Sequence, residues 1–314
     1  MIKDGGRAGF LLHNLSGLKQ KNKFILRVSP GLIIYEDYCP FPIFENMHVE
    51  KESLILTESA LLESEHLART VTIDFYLPVN VPDPREMSLL LINDGQDMEK
   101  LGLQAILEEL YESHAIRPVL CAAIHCGEER RMEYGTVVAP DFKGRGAKAG
   151  LYNKFIFEEL LPYIRVTYNV ESFHEKVFAG FSLGALSALD IVWNHPTEFS
   201  TAGVFSGSLW WRTRDQDDES YSDETDRIMH QQVRNGDFHP WLRFFFQCGA
   251  LDEDKDRNKN GVIDSIDDAT DLIAELKAKG YGDQNIHYLL LEDGKHDVPT
   301  WGKAMPYFLK WAFG

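Results

Sequence analysis

Residues 180–184, Gly-Phe-Ser-Leu-Gly, constrain the fold of this chain more than any other segment. The apolar run Lys176–Phe181 that precedes Ser182 is typical of a buried strand, and a helical pattern begins at Leu183. A strand-to-helix turn this tight holds the serine in a strained backbone conformation and pushes its hydroxyl out above the sheet. Glycines are needed on both sides because side chains there would clash with the neighbouring strand and helix. Ser182 is therefore the candidate nucleophile.

Strand-like runs alternate with amphipathic helical patterns from about residue 50 to the C-terminus. Several strand candidates are continuously apolar, as expected of strands that are buried on both faces. This alternation predicts an α/β fold in one catalytic domain, with a mostly parallel central sheet flanked by helices. The strand candidates are Thr70–Val79, Ser88–Asn93, Pro118–His125, Lys176–Phe181, Thr201–Ser206, Arg243–Cys248 and Ile286–Leu291. The helical patterns cover Asp97–His114, Leu151–Tyr168, Leu183–His195, Asp268–Lys279 and Pro299–Phe313.

The first 46 residues differ in character from the rest of the chain. They are basic and contain several glycines, with one apolar stretch from Phe24 to Tyr35 and a proline-rich exit. Two interpretations stay open: a loosely docked extension, or upstream sequence included by a wrongly chosen start codon. We assign no chemistry to residues 1–46 and expect the catalytic domain to span residues 47–314.

Acidic residues outnumber basic ones, with 49 Asp and Glu against 32 Lys and Arg, for a formal net charge of −17. That charge would repel a phosphate backbone or an anionic membrane surface, so we expect no nucleic-acid or membrane partner. No apolar run reaches the roughly 18 residues that span a bilayer, and no signal-peptide pattern opens the chain. We therefore expect a cytoplasmic protein, whose oligomeric state the sequence does not indicate.

A serine hydroxyl is a poor nucleophile until a base accepts its proton, so a histidine must lie nearby in the fold. Of eleven histidines, His296 fits best, because it stands in a turn between the last predicted strand and the last helix. The acid should follow the penultimate strand, where Asp252 is preferred, Glu253 is the second choice and Asp254 the third. Its role would be to orient the imidazole and to stabilise its charged form.

Acyl transfer also needs backbone N–H donors for the oxygen that becomes negative. We expect these donors to be the amides of Leu183 and of Gln96, although a plain Asp-Gly turn is an alternative for the second loop. Trp210 and Trp211 follow another predicted strand and are expected to line the substrate pocket, with simple core packing as the competing interpretation. The acidic segment that comes next, residues 214–226, is typical of a solvated loop. If it overhangs the site, it would disfavour polyanionic substrates.

Residues 256–267 match the twelve-residue pattern of an EF-hand-type calcium loop, with a glycine at the sixth position. The cations that alternate with the ligand positions, Lys255, Arg257 and Lys259, are expected to point to solvent. An aspartate at the last position and the lack of a preceding helix weaken the match, and an Asx-rich surface loop is the alternative. We expect a structural Ca²⁺ that orders Asp252, and no cofactor for catalysis. The ligand positions are Asp256, Asn258, Asn260, Val262 (by its carbonyl), Asp264 and Asp267.

Several of these segments together resemble the esterase D and enterochelin-esterase-like family of esterases. The resemblance runs from about residue 65 to the C-terminus. It implies an α/β-hydrolase fold, activity on carboxylic esters without a cofactor, and a triad at Ser182, Asp252 and His296. Relatives in this family hydrolyse feruloyl, acetyl and siderophore esters and S-formylglutathione, and they differ in their insertions, so the substrate is not carried over. The segments are Leu91–Gln96, Arg130–Tyr134, Glu158–Tyr163, Gly180–Gly184, Phe205–Ser208 and His296.

These observations predict a serine esterase that hydrolyses a small or medium carboxylic ester through an acyl-enzyme. Within the same chemistry, transfer of the acyl group to an alcohol other than water stays open, because the triad is the same in both reactions. From a different class, the chain could be a non-catalytic calcium-binding or interaction module on a retained hydrolase scaffold.

Overall fold

The computed structural model describes residues 53–79, 81, 83 and 86–314, together with the backbone of two short strands nearer the N-terminus. These two strands, β1 (Leu26–Val28) and β2 (Gly31–Ile33), pair antiparallel. The chain divides into two compact units, Met1–Lys51 and Glu52–Gly314. Most of the apolar stretch and the proline-rich exit noted in the sequence lie outside the described residues.

The second unit is built on one eight-stranded sheet. Its strands are β3 (Ile55–Ser64), β4 (Arg69–Pro78), β5 (Ser88–Asn93), β6 (Val119–Ile124), β7 (Lys176–Phe181), β8 (Thr201–Phe205), β9 (Arg243–Leu251) and β10 (Ile286–Lys295). They lie in the order β10-β9-β8-β7-β5-β6-β4-β3. The pairs from β10 across to β6 are parallel, whereas β4 is antiparallel to both β6 and β3. The mostly parallel sheet expected from the sequence is confirmed.

Two helical layers cover the sheet. The helices are α1 (Met98–Leu101), α2 (Leu103–Glu112), α3 (Arg130–Glu133), α4 (Ala149–Lys154), α5 (Leu161–Tyr168), α6 (Leu183–Asn194), α7 (Asp223–Asp226), α8 (Ile228–Asn235), α9 (Asp264–Lys279) and α10 (Val298–Phe313). A 3₁₀ turn at Gly95–Asp97 precedes α1, and a π-helical stretch, Phe155–Leu160, joins α4 to α5. Alternate residues of β5 divide between two cores: Leu89 and Leu91 pack on one face with α6, Leu90 and Ile92 on the other with α10.

Three of the differences from the sequence expectation have local reasons. The edge strand β3 was missed, because most of its residues are exposed and no apolar run marks it. The expected helix Asp97–His114 is broken at Gly102, whose φ of +80° ends α1 in the left-handed region. Helix α9 begins at Asp264, four residues before the expected start at Asp268.

Candidate active site

Ser182 occupies the turn between β7 and α6. Its backbone φ of 55° and ψ of −119° lie in a region that non-glycine residues rarely adopt, and its N–H donates to the carbonyl oxygen of Phe205 at 2.9 Å. The half-buried hydroxyl lies 3.4 Å from the Oγ of Ser208 and makes no hydrogen bond to His296 within the described residues. The turn thus presents the hydroxyl at the carboxyl end of the sheet.

The two glycines of the motif, Gly180 and Gly184, are required for different reasons. A Cβ on Gly180 would lie 2.4 Å from the carbonyl oxygen of Gly184, so backbone of the turn itself excludes a side chain there. A Cβ on Gly184 would instead lie 2.7 Å from the Asp94 carboxylate and 3.0 Å from the Cβ of Asn93. Close packing of α6 against its own strand and against the loop after β5 therefore requires both glycines.

His296 and Asp252 reach the same cleft from two other strand ends. His296 follows β10, and its Nδ1 lies 4.0 Å from Oδ2 of Asp252, which follows β9. The Asp252 side chain is fully buried, while that of His296 is 40% exposed. Together with Ser182 they line a cleft of about 280 Å³. The structure thus brings together the three residues that the sequence assigned to the triad.

Burial sets the protonation of this pair. It lowers the pKa of His296 from its ordinary value; the nearby Asp252 carboxylate opposes this effect and the Arg130 guanidinium adds to it. Burial likewise raises the pKa of Asp252. The Ser206 hydroxyl and the Gly249 backbone are near enough to oppose this rise in the pKa. Among the described residues, however, no donor meets full hydrogen-bond geometry with either oxygen of Asp252, which is costly for a buried carboxylate. A proton on the facing imidazole would relieve that cost, which is the electrostatic role expected of the acid in a triad.

The two alternative acids are placed differently. Glu253 also lines the cleft, and burial together with the carboxylate of Asp264 raises its pKa. Asp254 is exposed on the loop beyond it. Of these three carboxylates, only Asp252 lies within ion-pair distance of His296. The geometry therefore favours Asp252.

Two backbone amides were expected to bind the developing oxyanion. Leu183 opens α6, and the first N–H groups of a helix have no intrahelical acceptor. Gln96 lies in the 3₁₀ turn after β5, where its side-chain oxygen accepts from the Cys126 N–H at 3.1 Å. The Asn93 amide, from the end of β5, donates to the Gly184 carbonyl at 2.7 Å, so this loop packs against the start of α6. The roles of both amides stay predictions.

A buried ion pair beside the nucleophile turn was not assigned a role from the sequence. Arg130 donates to both oxygens of Asp94, from Nε at 2.6 Å and from Nη2 at 2.7 Å. Its Nη2 also lies 3.4 Å from the carbonyl oxygen of Phe181. Asp94 adopts a left-handed conformation and is 2% exposed, so Arg130 supplies the cation that its burial requires. The only sequence signal was the presence of Arg130 in a segment that carries the family resemblance.

The two adjacent tryptophans occupy different environments. Trp210 is half-buried and lines the catalytic cleft. Trp211 is fully buried, with its ring against Gly135 and Gly146. Of the two residues expected in the pocket, only Trp210 lines it, and Trp211 packs in the core. Both residues follow β8 by a few positions, in and just after a turn, and packing there places one ring in the cleft and the other in the core.

The loop at residues 256–267 is closed by its own hydrogen bonds. Asp256 accepts from the backbone N–H groups of Asn260 at 3.1 Å and of Gly261 at 2.9 Å. The side-chain amides of Asn258 and Asn260 both donate to Asp267, at 2.7 and 2.9 Å. No group of three or more His, Cys, Asp or Glu side chains in the described part of the chain has metal-binding geometry. The loop gathers oxygen donors that suit Ca²⁺, two of them from asparagines, and the calcium site stays a prediction.

The expectation that Arg257 points to solvent is wrong. Its guanidinium is only 13% exposed and donates to the buried carboxylate of Asp268 at 2.7 Å, and Arg227 donates to the same oxygen at 2.8 Å. Arg257 also lies 3.4 Å from Asp264, one of the expected calcium ligands. Strict alternation of ligands and solvent-facing residues fails here because α7, α8 and α9 pack against this side of the loop.

In the part of the chain that the structure describes, no helix is both long enough and apolar enough to cross a bilayer.

Comparison with known proteins finds a family match and distant relatives for this chain. A sequence model of the family described as Putative esterase matches residues 64–312. Among curated proteins, the uncharacterised protein YjcH of Bacillus subtilis (strain 168) is 22% identical over 251 residues, which cover 79% of this chain and 93% of that protein.

Solved structures share the fold at low sequence identity. The enterochelin esterase from Shigella flexneri superposes with a TM-score of 0.62 at 20% identity. The match covers 81% of this chain but 57% of that protein, so this chain spans just over half of its length. A ferulic acid esterase superposes with a TM-score of 0.60 at 17% identity, covering 82% of this chain and 97% of the other. The α/β-hydrolase fold expected from the sequence is confirmed.

Proposed function

The chain belongs to the Putative esterase family, and from that premise we propose that it hydrolyses carboxylic esters with Ser182, His296 and Asp252 as its catalytic triad. The observation that carries this proposal is the convergence of three strand ends on one cleft. A serine in a strained turn, a half-exposed imidazole and a buried carboxylate meet there, in the chain order typical of α/β-hydrolases.

The reaction divides into two acyl transfers. Ser182 Oγ attacks the ester carbonyl carbon while His296 accepts the hydroxyl proton, and a tetrahedral oxyanion forms. The imidazolium then protonates the leaving alcohol oxygen as the bond between carbonyl carbon and alcohol oxygen breaks. Water, deprotonated by His296, attacks the acyl-enzyme in the same way and releases the carboxylic acid and Ser182.

The surrounding groups act on the charges that develop during these steps. The Leu183 and Gln96 amides would stabilise the oxyanion. Asp252 would hold the imidazole tautomer and offset the positive charge on His296. Arg130, through its ion pair with Asp94, holds the loop after β5 against the nucleophile turn, so we assign it a positioning role.

The decisive experiment compares wild type with Ser182→Ala on p-nitrophenyl acetate and p-nitrophenyl butyrate. We expect the substitution to lower kcat by about 10⁴–10⁶, because a triad acts as a unit. Ser200→Ala, a serine outside the cleft, is the matched control and should keep the wild-type rate. Mass spectrometry after treatment with a sulfonyl fluoride should find the label on Ser182 alone.

An unlabelled Ser182, or equal rates in wild type and Ser182→Ala, would refute the triad. Adding an alcohol acceptor and measuring both products distinguishes hydrolysis from acyl transfer. We expect the free acid to be the main product in water.

A further inference from the structure

A second cleft lies directly beside the catalytic one. It has a volume of about 240 Å³ and shares Trp210 and Glu253 with the cleft that holds Ser182 and His296. Five cations line this cleft, together with Phe142, Gln216 and the carboxylates of Glu253 and Asp264, the second of which lies 3.4 Å from Arg257. We call it the basic cleft and define it by Lys143, Arg145, Arg212, Lys255, Arg257 and Trp210.

Not all of these cations are neutralised by the protein. Arg145 is held by the buried carboxylate of Asp141, and Arg257 by that of Asp268. Among the described residues no carboxylate lies within ion-pair distance of Lys143, Arg212 or Lys255, although Lys255 is near enough to Glu253 to oppose the rise in the pKa of that carboxyl that burial causes. Because the chain as a whole carries a formal charge of −17, a cleft lined by five cations and two carboxylates is a local reversal of its charge.

Arg212 is the most constrained of the three cations. Its guanidinium lies over the rings of Phe142, Trp210 and Tyr221, with distances to their centroids of 5.4, 5.7 and 5.8 Å. Its Nε is buried without a hydrogen-bond partner, and its Nη1 has only a 3.4 Å contact to the Trp210 carbonyl. A guanidinium held between aromatic rings with unused donors is arranged to receive a planar anion, such as a carboxylate.

The acidic segment does not cancel this charge within the cleft. Of residues 214–226, only Gln216 lines the basic cleft, and its side chain is neutral. Asp217 and Asp223 line a neighbouring pocket, where Asp223 pairs with Arg257. The site therefore suits one anionic group, while the flanking carboxylates disfavour a polyanion.

We propose that the basic cleft binds a carboxylate on the ester substrate, so that the enzyme prefers esters that carry one anionic group beyond Trp210. This inference rests on the proposed esterase function. The carboxylate belongs either to the acyl half or to the alcohol half of the ester, and matched substrates distinguish the two. Arg212, with Lys143 and Lys255, determines the specificity.

The test compares anionic esters with neutral counterparts of the same shape. For the acyl half, the pair is mono-4-nitrophenyl adipate and 4-nitrophenyl hexanoate. For the alcohol half, it is 4-acetoxybenzoate and 4-acetoxybenzamide. In wild type we expect kcat/KM to favour the anionic member of one pair by about tenfold or more, as for a charge-assisted contact. This preference should shrink at high ionic strength.

Variants test whether the basic cleft causes the preference for anionic esters. Arg212→Gln and the exposed Lys255→Gln should each remove most of it and change the rate on the neutral ester by less than about twofold. Lys310→Gln, an exposed lysine on α10, removes the same charge elsewhere and should leave the preference intact. No preference in wild type, or a preference that survives both cleft variants, would overturn the proposal.

A binding measurement separates this proposal from failure of the esterase proposal. In the Ser182→Ala background, the non-hydrolysable amide of adipic acid with 4-nitroaniline is titrated by calorimetry, beside the matching hexanoyl amide. We expect tighter binding of the anionic amide, lost on adding Arg212→Gln. The alcohol half is tested in the same way with 4-acetamidobenzoate beside 4-acetamidobenzamide. Equal affinity within both pairs would refute the basic cleft even if the protein has no esterase activity.

Discussion

At the scale of single residues, burial suits His296 and Asp252 to the roles proposed for them. A general base must be neutral before it can accept the Ser182 proton, and burial lowers the pKa of His296 below its ordinary value of 6.5. Asp252, whose oxygens make no hydrogen bond of full geometry among the described residues, gains a charged partner when the imidazole is protonated. In the resting state His296 is therefore favoured in its neutral form. Its interaction with the Asp252 carboxylate is strongest in the transition state, when the imidazole is charged.

This burial predicts the pH dependence of the enzyme. Because the protonated imidazole is inactive, kcat/KM should rise with pH through the pKa of His296 and then reach a plateau. Since that pKa is lowered, the midpoint should fall below pH 6.5. Rates on p-nitrophenyl acetate from pH 4.5 to 8 would measure it. A midpoint clearly above 6.5 would mean that the Asp252 charge, and not burial, dominates.

The glycine at the start of the motif gives a second prediction at this scale. Gly180→Ala should destabilise the fold by about 1–3 kcal/mol, because its Cβ would overlap the Gly184 carbonyl oxygen at 2.4 Å. Gly150→Ala is the control, since nothing lies within 4 Å of a Cβ at that helical position and alanine favours helix. Urea unfolding of both variants should show destabilisation in the first alone. Equal stability would show that the turn can relax.

At the scale of elements, the connection from β9 to α9 joins several functions. It supplies Asp252 to the triad, Lys255 to the basic cleft and Arg257 to the ion pair with Asp268 on α9. Arg227, from the start of α8, donates to the same Asp268 oxygen. This shared carboxylate holds α8, α9 and the connection together, so loss of the Arg257–Asp268 ion pair should affect the position of Asp252.

Calcium binding by residues 256–267 is the prediction that belongs to this scale. If Ca²⁺ at 100 times its Kd stabilises the fold by about 2.7 kcal/mol, EGTA should lower Tm by about 5–10 °C and reduce esterase activity. Asp267→Ala removes the carboxylate to which both asparagine amides donate. That variant should have the lower Tm without EGTA and should not respond to it. Unchanged Tm and activity of wild type in EGTA would contradict calcium binding and would mean that the loop is closed by its own hydrogen bonds alone.

At the scale of the whole molecule, the catalytic residues depend on one sheet. Every strand of the eight-stranded sheet lies between Ile55 and Lys295, and the family match begins at residue 64. Among the described residues, those of both hydrophobic cores on the faces of the sheet lie within 55–313. The unit that holds the proposed triad therefore has a sheet and two cores of its own.

This predicts that a chain starting at Met47 keeps the properties of the catalytic unit. Its Tm should lie within about 2 °C of the full chain, and its kcat/KM on p-nitrophenyl butyrate within about twofold, because every core residue in the described part of the chain lies after Met47. Calorimetry and steady-state kinetics on both chains would measure this. Aggregation or inactivity of the shorter chain would show that residues 1–46 contribute to the fold or to the site.

The sequence by itself determined the parts that local patterns encode. The bounds predicted for the strands at Ser88–Asn93 and Lys176–Phe181 are those of β5 and β7, because continuous apolar runs that end at turns mark buried parallel strands. The turn around Ser182 followed from its own glycines.

Only the tertiary structure decided which side chains from distant segments meet. Asp252 and not Glu253 faces His296, Trp210 and not Trp211 lines the cleft, and Arg257 turns inward to Asp268. Neighbouring residues of the same chemistry carry the same local signal, and their directions depend on packing against elements far away in the chain. For the same reason, Lys143, Arg212 and Lys255 are recognised as one group beside Trp210 only in the structure, which shows which cations pair with carboxylates.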